Sequence, residues 1–454
     1  MCAAIRIGNA QGFWGDSPDA PRSLLEQAPD LDFLTLDYLA EVSMSILAAQ
    51  RKKDSTAGFA RDFLEVVEAL VPLWQQGLRT RLICNAGGLN PTGCGKAVRE
   101  RLDAAGLHNR VVAVVYGDDV LDVLRADPDH PNFAHLESGA SLTQIVDRLY
   151  TANAYIGADA VARALDLGAD IVVTGRVADP SLTVGACIHA FQWRLDDYDR
   201  LAAATVAGHV IECGTQACGG ISTDWLNLPS PEALGFPIAE VSDDGTVYIT
   251  KPADSGGTVS RATVTEQLLY EIGDPTNYIS PDCCVDFTSL RLEETEKDRV
   301  RITHVRGAAP PNTYKVSATY QDGYWASGTL TIFGRHAVEK AKRCGNIILE
   351  RLRRVGFTYA RTQVECLGAN ACAGGILPAP DLLETVLRVS VADPNREAVE
   401  RFTKEIAPLV TSGPQGTTGY AAGRPKVHPV FAFWPCRIER HRVFPTAVRI
   451  ETTS

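Results

Sequence analysis

Short, uninterrupted apolar runs alternate with segments of helical periodicity through the first half of this 454-residue chain. No other feature limits its fold as strongly. Residues 3–7, 33–36, 81–84, 111–116 and 170–174 are strand-length and largely apolar. Between them, residues 59–76 place Phe59, Phe63, Val66, Val67, Leu70 and Leu73 at helical spacing. Asn90-Pro91 has the form of a cap followed by proline at the first helical position, opening a helix to about residue 105. Asp118 stands where it can cap the next helix, and the spacing predicts a longer helix over about 142–167. Strands without an alternating polar face are buried on both faces, which requires a parallel sheet covered by helices on each side. The expected fold is therefore α/β, with a Rossmann-like, mostly parallel sheet over residues 1–235.

The pattern changes near Pro229–Pro237, where strand-like pieces begin to dominate. Residues 247–250 follow the turn signal Asp243-Asp-Gly245, and 300–305, 315–320 and 329–333 also look like strands, with helices near 336–354 and 396–410. A chain this long exceeds one hydrophobic core. Residues 236–454 are accordingly expected to form an α+β domain that closes over a site on the first.

That site is placed by where the polar residues gather. The first strand runs into Gly8-Asn-Ala-Gln-Gly-Phe-Trp-Gly-Asp16, with Asn9 and Asp16; the second into Asp37; the third into Asn85-Ala-Gly-Gly88, with Gly87 and Gly88; the fifth into Gly175-Arg-Val-Ala-Asp-Pro180, with Arg176 and Asp179. Open α/β sheets bind ligands at this edge. Loop and cap chemistry alone also enriches such residues at strand ends. The stretch Gly208-His-Val-Ile-Glu-Cys-Gly-Thr-Gln-Ala-Cys-Gly-Gly220 sets His209, Glu212, Cys213, Thr215 and Gln216 among glycines, as the floor of a pocket would be built. A glycine-capped helix end is the plainer alternative.

His209 and Glu212 are three residues apart and share a helix face, a spacing suited to an orienting hydrogen bond or an acid/base pair. Cys213 lies beside Glu212, which opposes thiolate formation, so a packed thiol is expected. Arg176 can clamp a carboxylate or phosphate. Asp179 precedes Pro180 and is either a helix cap or a site carboxylate. Asp16 and Asp37 either cap helices, share a proton or bind a divalent cation. Arg424, in the glycine-rich loop 413–425, is a further anion contact.

Several function classes drop out. With a net charge of −11 and no basic run longer than Arg51-Lys-Lys53, nucleic acid is not the expected partner. No apolar run is long enough to span a membrane, no secretory leader is evident, and a cytoplasmic homo-oligomer is expected. The dinucleotide fingerprint, the P-loop, the nucleophile elbow and paired zinc-ligand spacings are all missing, so no cofactor is expected and no metal is assigned.

Taken in order, five segments carry a resemblance to the acyclic terpene utilisation protein A family. They are 8–16, Asn85-Ala-Gly-Gly-Leu-Asn-Pro91, Gly175-Arg-Val-Ala-Asp-Pro-Ser181, 208–220 and Thr265-Glu-Gln-Leu-Leu-Tyr-Glu-Ile-Gly-Asp-Pro275. The resemblance covers about residues 3–435, and the small C-terminal domain of some relatives is not expected here. It implies a place in the degradation of branched, terpenoid acids as CoA thioesters, with a lyase step on a 3-hydroxy-glutaryl-type thioester. It also implies that Cys218, where relatives often carry threonine, is not catalytic.

The expected function is thus a C–C lyase or hydratase acting on a branched acyl-CoA or related carboxylic acid. Glu212 or Asp179 would be its base, His209 the partner, and Arg176 with the backbone of 85–88 the anion contact. The alternatives are a non-catalytic thioester-binding subunit of a carboxylase or hydratase, and a metal-dependent hydrolase built on Asp16, Asp37 and Asp179.

Overall fold

The computed structural model describes residues 4–374, 376–377, 382–420, 423–443 and 446–452. The chain divides into two compact units, one of Met1–Thr319 with Phe433–Ser454, the other Tyr320–Ala432. In chain order the first unit sets out β1 (Ala4–Asn9), α1 (Ala20–Gln27), β2 (Phe33–Leu36), α2 (Glu41–Lys53), α3 (Phe63–Gln75), β3 (Arg81–Cys84) and α4 (Pro91–Ala104). It continues through β4 (Val112–Tyr116), α5 (Leu121–Ala126), β5 (Leu149–Ala154), α6 (Asp159–Asp166), β6 (Ile171–Thr174), α7 (Ser181–Phe191) and α8 (Tyr198–Ile211). After α8 come β7 (Ile238–Ser242), β8 (Val247–Thr250), α9 (Arg261–Leu269), β9 (Tyr278–Ile279), β10 (Cys284–Asp286), β11 (Arg291–Glu296), β12 (Arg299–Thr303) and β13 (Arg306–Ala308). β14 (Thr313–Phe333) leads into the second unit, with α10 (Ala337–Arg354), β15 (Arg361–Leu367), β16 (Glu384–Asp393), α11 (Arg396–Phe402), α12 (Leu409–Ser412) and β17 (Thr417–Thr418). β18 (His428–Glu439) returns to the first unit, which ends on β19 (Ala447–Glu451).

The main sheet is mixed. β1, β2, β3, β6 and β4 run parallel in that spatial order. β7, β8, β12 and β11 extend it antiparallel beyond β1, and β19 closes the other edge against β4. Leu34 and Leu36 of β2, Leu82 and Cys84 of β3, and Ile171 and Val173 of β6 occupy alternate positions and pack with apolar side chains of α1 to α4. The intervening Phe33, Ile83 and Val172 are equally buried, and α7 packs along β1 and β2. Both faces are covered, as the unbroken apolar runs require.

The boundary expected at 235/236 falls elsewhere. Residues from Ile238 to Ser242 pair with β1 from Gly8 back to Ala4, so the chain beyond 235 completes the first sheet. The second unit is a smaller antiparallel sheet, in the order β15-β16-β14-β17, whose apolar face packs with α10. The expected helix over 142–167 is also corrected. Only Asp159–Asp166 is α-helical; two 3₁₀ turns and β5 occupy most of the rest. Residues 149–154 have turns before them and Gly157 behind them, and Thr151 Oγ1 bonds Thr319 Oγ1 at 2.6 Å, a pairing too distant in sequence for local periodicity to reveal. Likewise the helix expected near 396–410 is two shorter ones. Among the described residues no helix is long and apolar enough to cross a membrane.

Helix α7 is held against α6 at a close approach. A Cβ on Gly185 would lie 2.6 Å from Val161 Cβ. Gly185→Ala would gain at most about 1 kcal/mol in helix propensity but lose about 1–3 kcal/mol to overpacking. A net loss of stability is therefore expected, read as a lower urea midpoint at unchanged m-value.

Candidate active site

Backbone tethers bring the ends of β1, β2, β6 and α8 together. The Asn9 side chain donates to the carbonyls of Ile211 at 2.7 Å and Glu212 at 2.8 Å, fixing the last turn of α8 to the end of β1. A Cβ on Gly12 would lie 2.7 Å from the Cys213 carbonyl carbon, so the two loops touch backbone to backbone. The Asp37 N–H donates to the Gln11 carbonyl at 2.9 Å. Its carboxylate accepts from Asn85 Nδ2 at 2.6 Å, while Asn85 Oδ1 accepts the Tyr38 N–H at 2.6 Å. After β6, the Arg176 N–H donates to Asp118 Oδ2 at 2.8 Å, and its guanidinium Nη1 donates to Asp179 Oδ1 at 2.5 Å. That guanidinium, only 2% exposed, stacks 4.0 Å from the centre of the Tyr155 ring. Lys315 Nζ lies 4.6 Å from the same ring and 3.2 Å from Glu41 Oε1, which also accepts the Tyr155 hydroxyl at 2.6 Å.

These groups enclose a cleft of two lobes within the first unit. The larger, about 480 Å³, is walled by Asp16, Asp37, Glu41, Arg176, Cys213, Thr215, Gln216 and Tyr270 among others. The smaller, about 230 Å³, is walled by His209, Ala178, Pro180, Tyr278 and Tyr314 among others. Tyr155, Asp179, Glu212, Glu271 and Lys315 belong to both lobes and form the waist between them.

Hydrogen-bond logic fixes where the key proton sits. His209 Nε2 is 3.1 Å from the Gln267 carbonyl, which can only accept, so Nε2 carries hydrogen. Burial keeps the ring neutral, pushing its pKa down to about 4 against the weaker pull of the Gln267 carbonyl, Glu271 and Asp179. Nδ1 must then accept, and Glu212 Oε1, 3.2 Å away, must donate. Burial, with the charges of Asp179 and Glu271 adding to it and Arg176 opposing, raises the Glu212 carboxyl well above the usual range. Glu212 is thus a protonated acid in a neutral pair, and its Oε2 is buried without a partner. Asp37 is raised by burial and then by Asp179. Burial of Glu41 acts upward, but Lys315 and the Tyr155 hydroxyl prevail and hold it at about 2. Burial pushes the Cys213 thiol up, so it is no thiolate nucleophile.

Of the residues singled out from sequence, Asp16, Asp37, Arg176, Asp179, Glu212, Cys213, Thr215 and Gln216 meet in the larger lobe, and His209 joins in the smaller. Asn9, Asn85, Gly87 and Gly88 do not line it: the two asparagines tie its walls from behind, and Gly87 packs on the Thr174 carbonyl. Asp179 does not cap α7, which starts without a side-chain cap, because its carboxylate is taken by Arg176. Asp118 does not cap α5; it holds the Arg176 N–H and Asn153. Arg424 is exposed on the second unit, and residues 421 and 422 of its glycine-rich loop lie outside the described residues. Among the described residues no group of three or more His, Cys, Asp or Glu is arranged to hold a metal ion. Sequence reasoning missed Tyr155, Lys315 and Glu271 as site residues. Tyr155 follows β5 and Lys315 lies in β14, strands placed by long-range pairing, whereas Tyr270-Glu271 falls inside the 265–275 segment and was within reach.

A buried neutral histidine makes stability pH-dependent. With its folded pKa lowered to about 4 from 6.5, His209 contributes stability that is present above 6.5 and lost as pH falls toward 4. The loss is on the order of 3 kcal/mol. Glu212, raised, works in the opposite sense, contributing stability that is lost as pH rises above its unfolded value of 4.5. Urea midpoints between pH 4 and 7 are expected to fall less steeply on acidification in His209→Gln than in the parent.

One protein-family model, described as acyclic terpene utilisation family protein AtuA, matches residues 5–449. No curated protein and no solved structure matches the chain. A match over nearly every residue, the walls of the cleft included, places this chain in the AtuA acyclic terpene utilisation family.

Proposed function

We propose that the chain is an enzyme that performs acid–base chemistry on a 3-hydroxy acid or its CoA thioester, by C–C lysis or by dehydration and its reverse. The observation that carries this is Glu212: a neutral, buried carboxyl whose Oε2 has no partner, at the waist of a cleft it shares with the ion-paired carboxylate Asp179. Burial raises Glu212, whereas Asp179 is paired with Arg176, and two carboxyl groups in such different environments are the usual basis for dividing acid and base roles.

In the lysis, Asp179 takes the proton of the 3-hydroxyl, the C2–C3 bond breaks to leave a carbonyl at C3, and the enolate carbon at C2 takes the Glu212 proton. In the dehydration, Asp179 takes a C2 proton and the C3 hydroxyl leaves as water with the Glu212 proton. Both routes pass through enolate-like charge, which Arg176 and Lys315 offset electrostatically. His209 acts through Glu212: in the resting site its Nδ1 accepts the Oε1 proton, and that hydrogen bond is given up when the proton passes to substrate, while Tyr278 and Phe287 fix the ring. The family description, acyclic terpene utilisation, supports a branched carbon skeleton for the substrate. The placement of the cleft at the C-terminal ends of β1, β2 and β6 supports reading the parallel half of the sheet as Rossmann-like.

Glu212→Gln keeps the shape and loses the proton. Turnover of a 3-hydroxy thioester is expected to fall about 100- to 10,000-fold, with the thermal unfolding midpoint nearly unchanged. Asp179→Asn should lose turnover to a similar degree. A fully active Glu212→Gln enzyme would remove Glu212 from the acid role.

A further inference from the structure

The two lobes differ in what their walls leave unsatisfied. In the larger lobe Arg176 Nε and Gln216 Oε1, and at the waist Glu212 Oε2, are buried polar atoms with no hydrogen-bond partner. Such atoms cost free energy until something bonds them, so this lobe is made for polar ligand atoms. Beyond the waist residues that it shares with the larger lobe, the smaller lobe has polar groups that are mostly already engaged. Both His209 nitrogens are bonded, the Ser280 N–H donates to the Cys283 carbonyl at 3.0 Å, and Ser280 Oγ accepts the Asp282 N–H at 3.4 Å. Arg440 donates to the Tyr314 hydroxyl at 3.3 Å and to the Pro281 carbonyl at 2.6 Å. Beyond the waist, apart from Thr313, what faces this lobe is chiefly the apolar surface of Ala178, Pro180, Ile279, Pro281 and the rings of Tyr278 and Tyr314.

We propose that the smaller lobe is a subsite for a short apolar group of the substrate, and that the larger lobe holds its polar end. The reacting bond then lies at the waist, between Asp179 and Glu212. This assignment rests on the acid–base reading of the cleft and adds the orientation and size limit of the substrate. A cavity of roughly 150 Å³ holds a benzene ring. At about 230 Å³ the smaller lobe takes a group roughly half as large again, which admits a short branched chain and excludes a long one.

The test is calorimetric binding of 3-hydroxy acids and their thioesters, lengthened one methylene at a time, to the full chain and to two variants. Each methylene that enters the lobe is expected to tighten binding about fourfold until the lobe is full, after which affinity drops. Ala178→Leu should move that break to shorter chains. Ile279→Ala, at a position 58% exposed and so of little consequence for folding, should move it to longer ones. Affinity independent of chain length, or a break unmoved in Ile279→Ala, overturns the subsite; if Glu212→Gln is nonetheless inactive, the acid–base reading stands. Absence of binding along the whole series overturns both.

Discussion

The buried guanidinium of Arg176 is the interaction around which the cleft is organised. A cation withdrawn almost wholly from water is tolerated only where opposite charge and π-density surround it. Here Asp179 pairs with it directly and the Tyr155 ring lies against its face. Asp118 fixes its backbone through the N–H. Tyr155 in turn requires β5 and the 313–315 segment, since its N–H donates to the Lys315 carbonyl at 2.9 Å. One charged side chain thus ties the ends of β4 and β6 and the residues after β5 into a single arrangement. Removing any partner would leave the others facing an uncompensated charge.

The second constraint is electrostatic imbalance. Six carboxyl groups, of Asp16, Asp37, Glu41, Asp179, Glu212 and Glu271, line the larger lobe with only Arg176 and Lys315 to oppose them. Such a group of carboxylates cannot all remain ionised out of water. The cost is relieved where burial is deepest: Glu212 and Asp37 shift toward the neutral form, while Glu41, held by Lys315 and Tyr155, stays charged. The protonated acid is therefore a consequence of packing carboxyl groups against one buried arginine. The neutral His209 is what lets Glu212 keep its proton in a defined direction.

Much of this was legible before any coordinates. The unbroken apolar runs specified buried parallel strands, because an alternating face would have been needed for a solvated sheet. The clustering of Asp37, Arg176 and Asp179 after strand ends then located the edge on which the cleft forms. The i, i+3 spacing of His209 and Glu212 predicted a contact that is present at 3.2 Å. Asn9 and Asn85 were recognised as site residues but support its walls, since a side-chain amide at a strand end serves a neighbouring backbone as readily as a ligand.

The sequence by itself determined the local quantities: which segments bury both faces, where chain direction reverses, and which polar types stand at the sheet edge. These follow from periodicity and turn chemistry, which act over a few residues. Tertiary structure alone decided that residues beyond 235 complete the first sheet, that β5 is a strand, and that Tyr155 and Lys315 reach the cleft. It also decided that Asp179 serves Arg176 instead of a helix N-terminus. Each of these depends on pairing or burial between segments tens to hundreds of residues apart, and the protonation state of Glu212 depends on the summed field of groups no local pattern brings together.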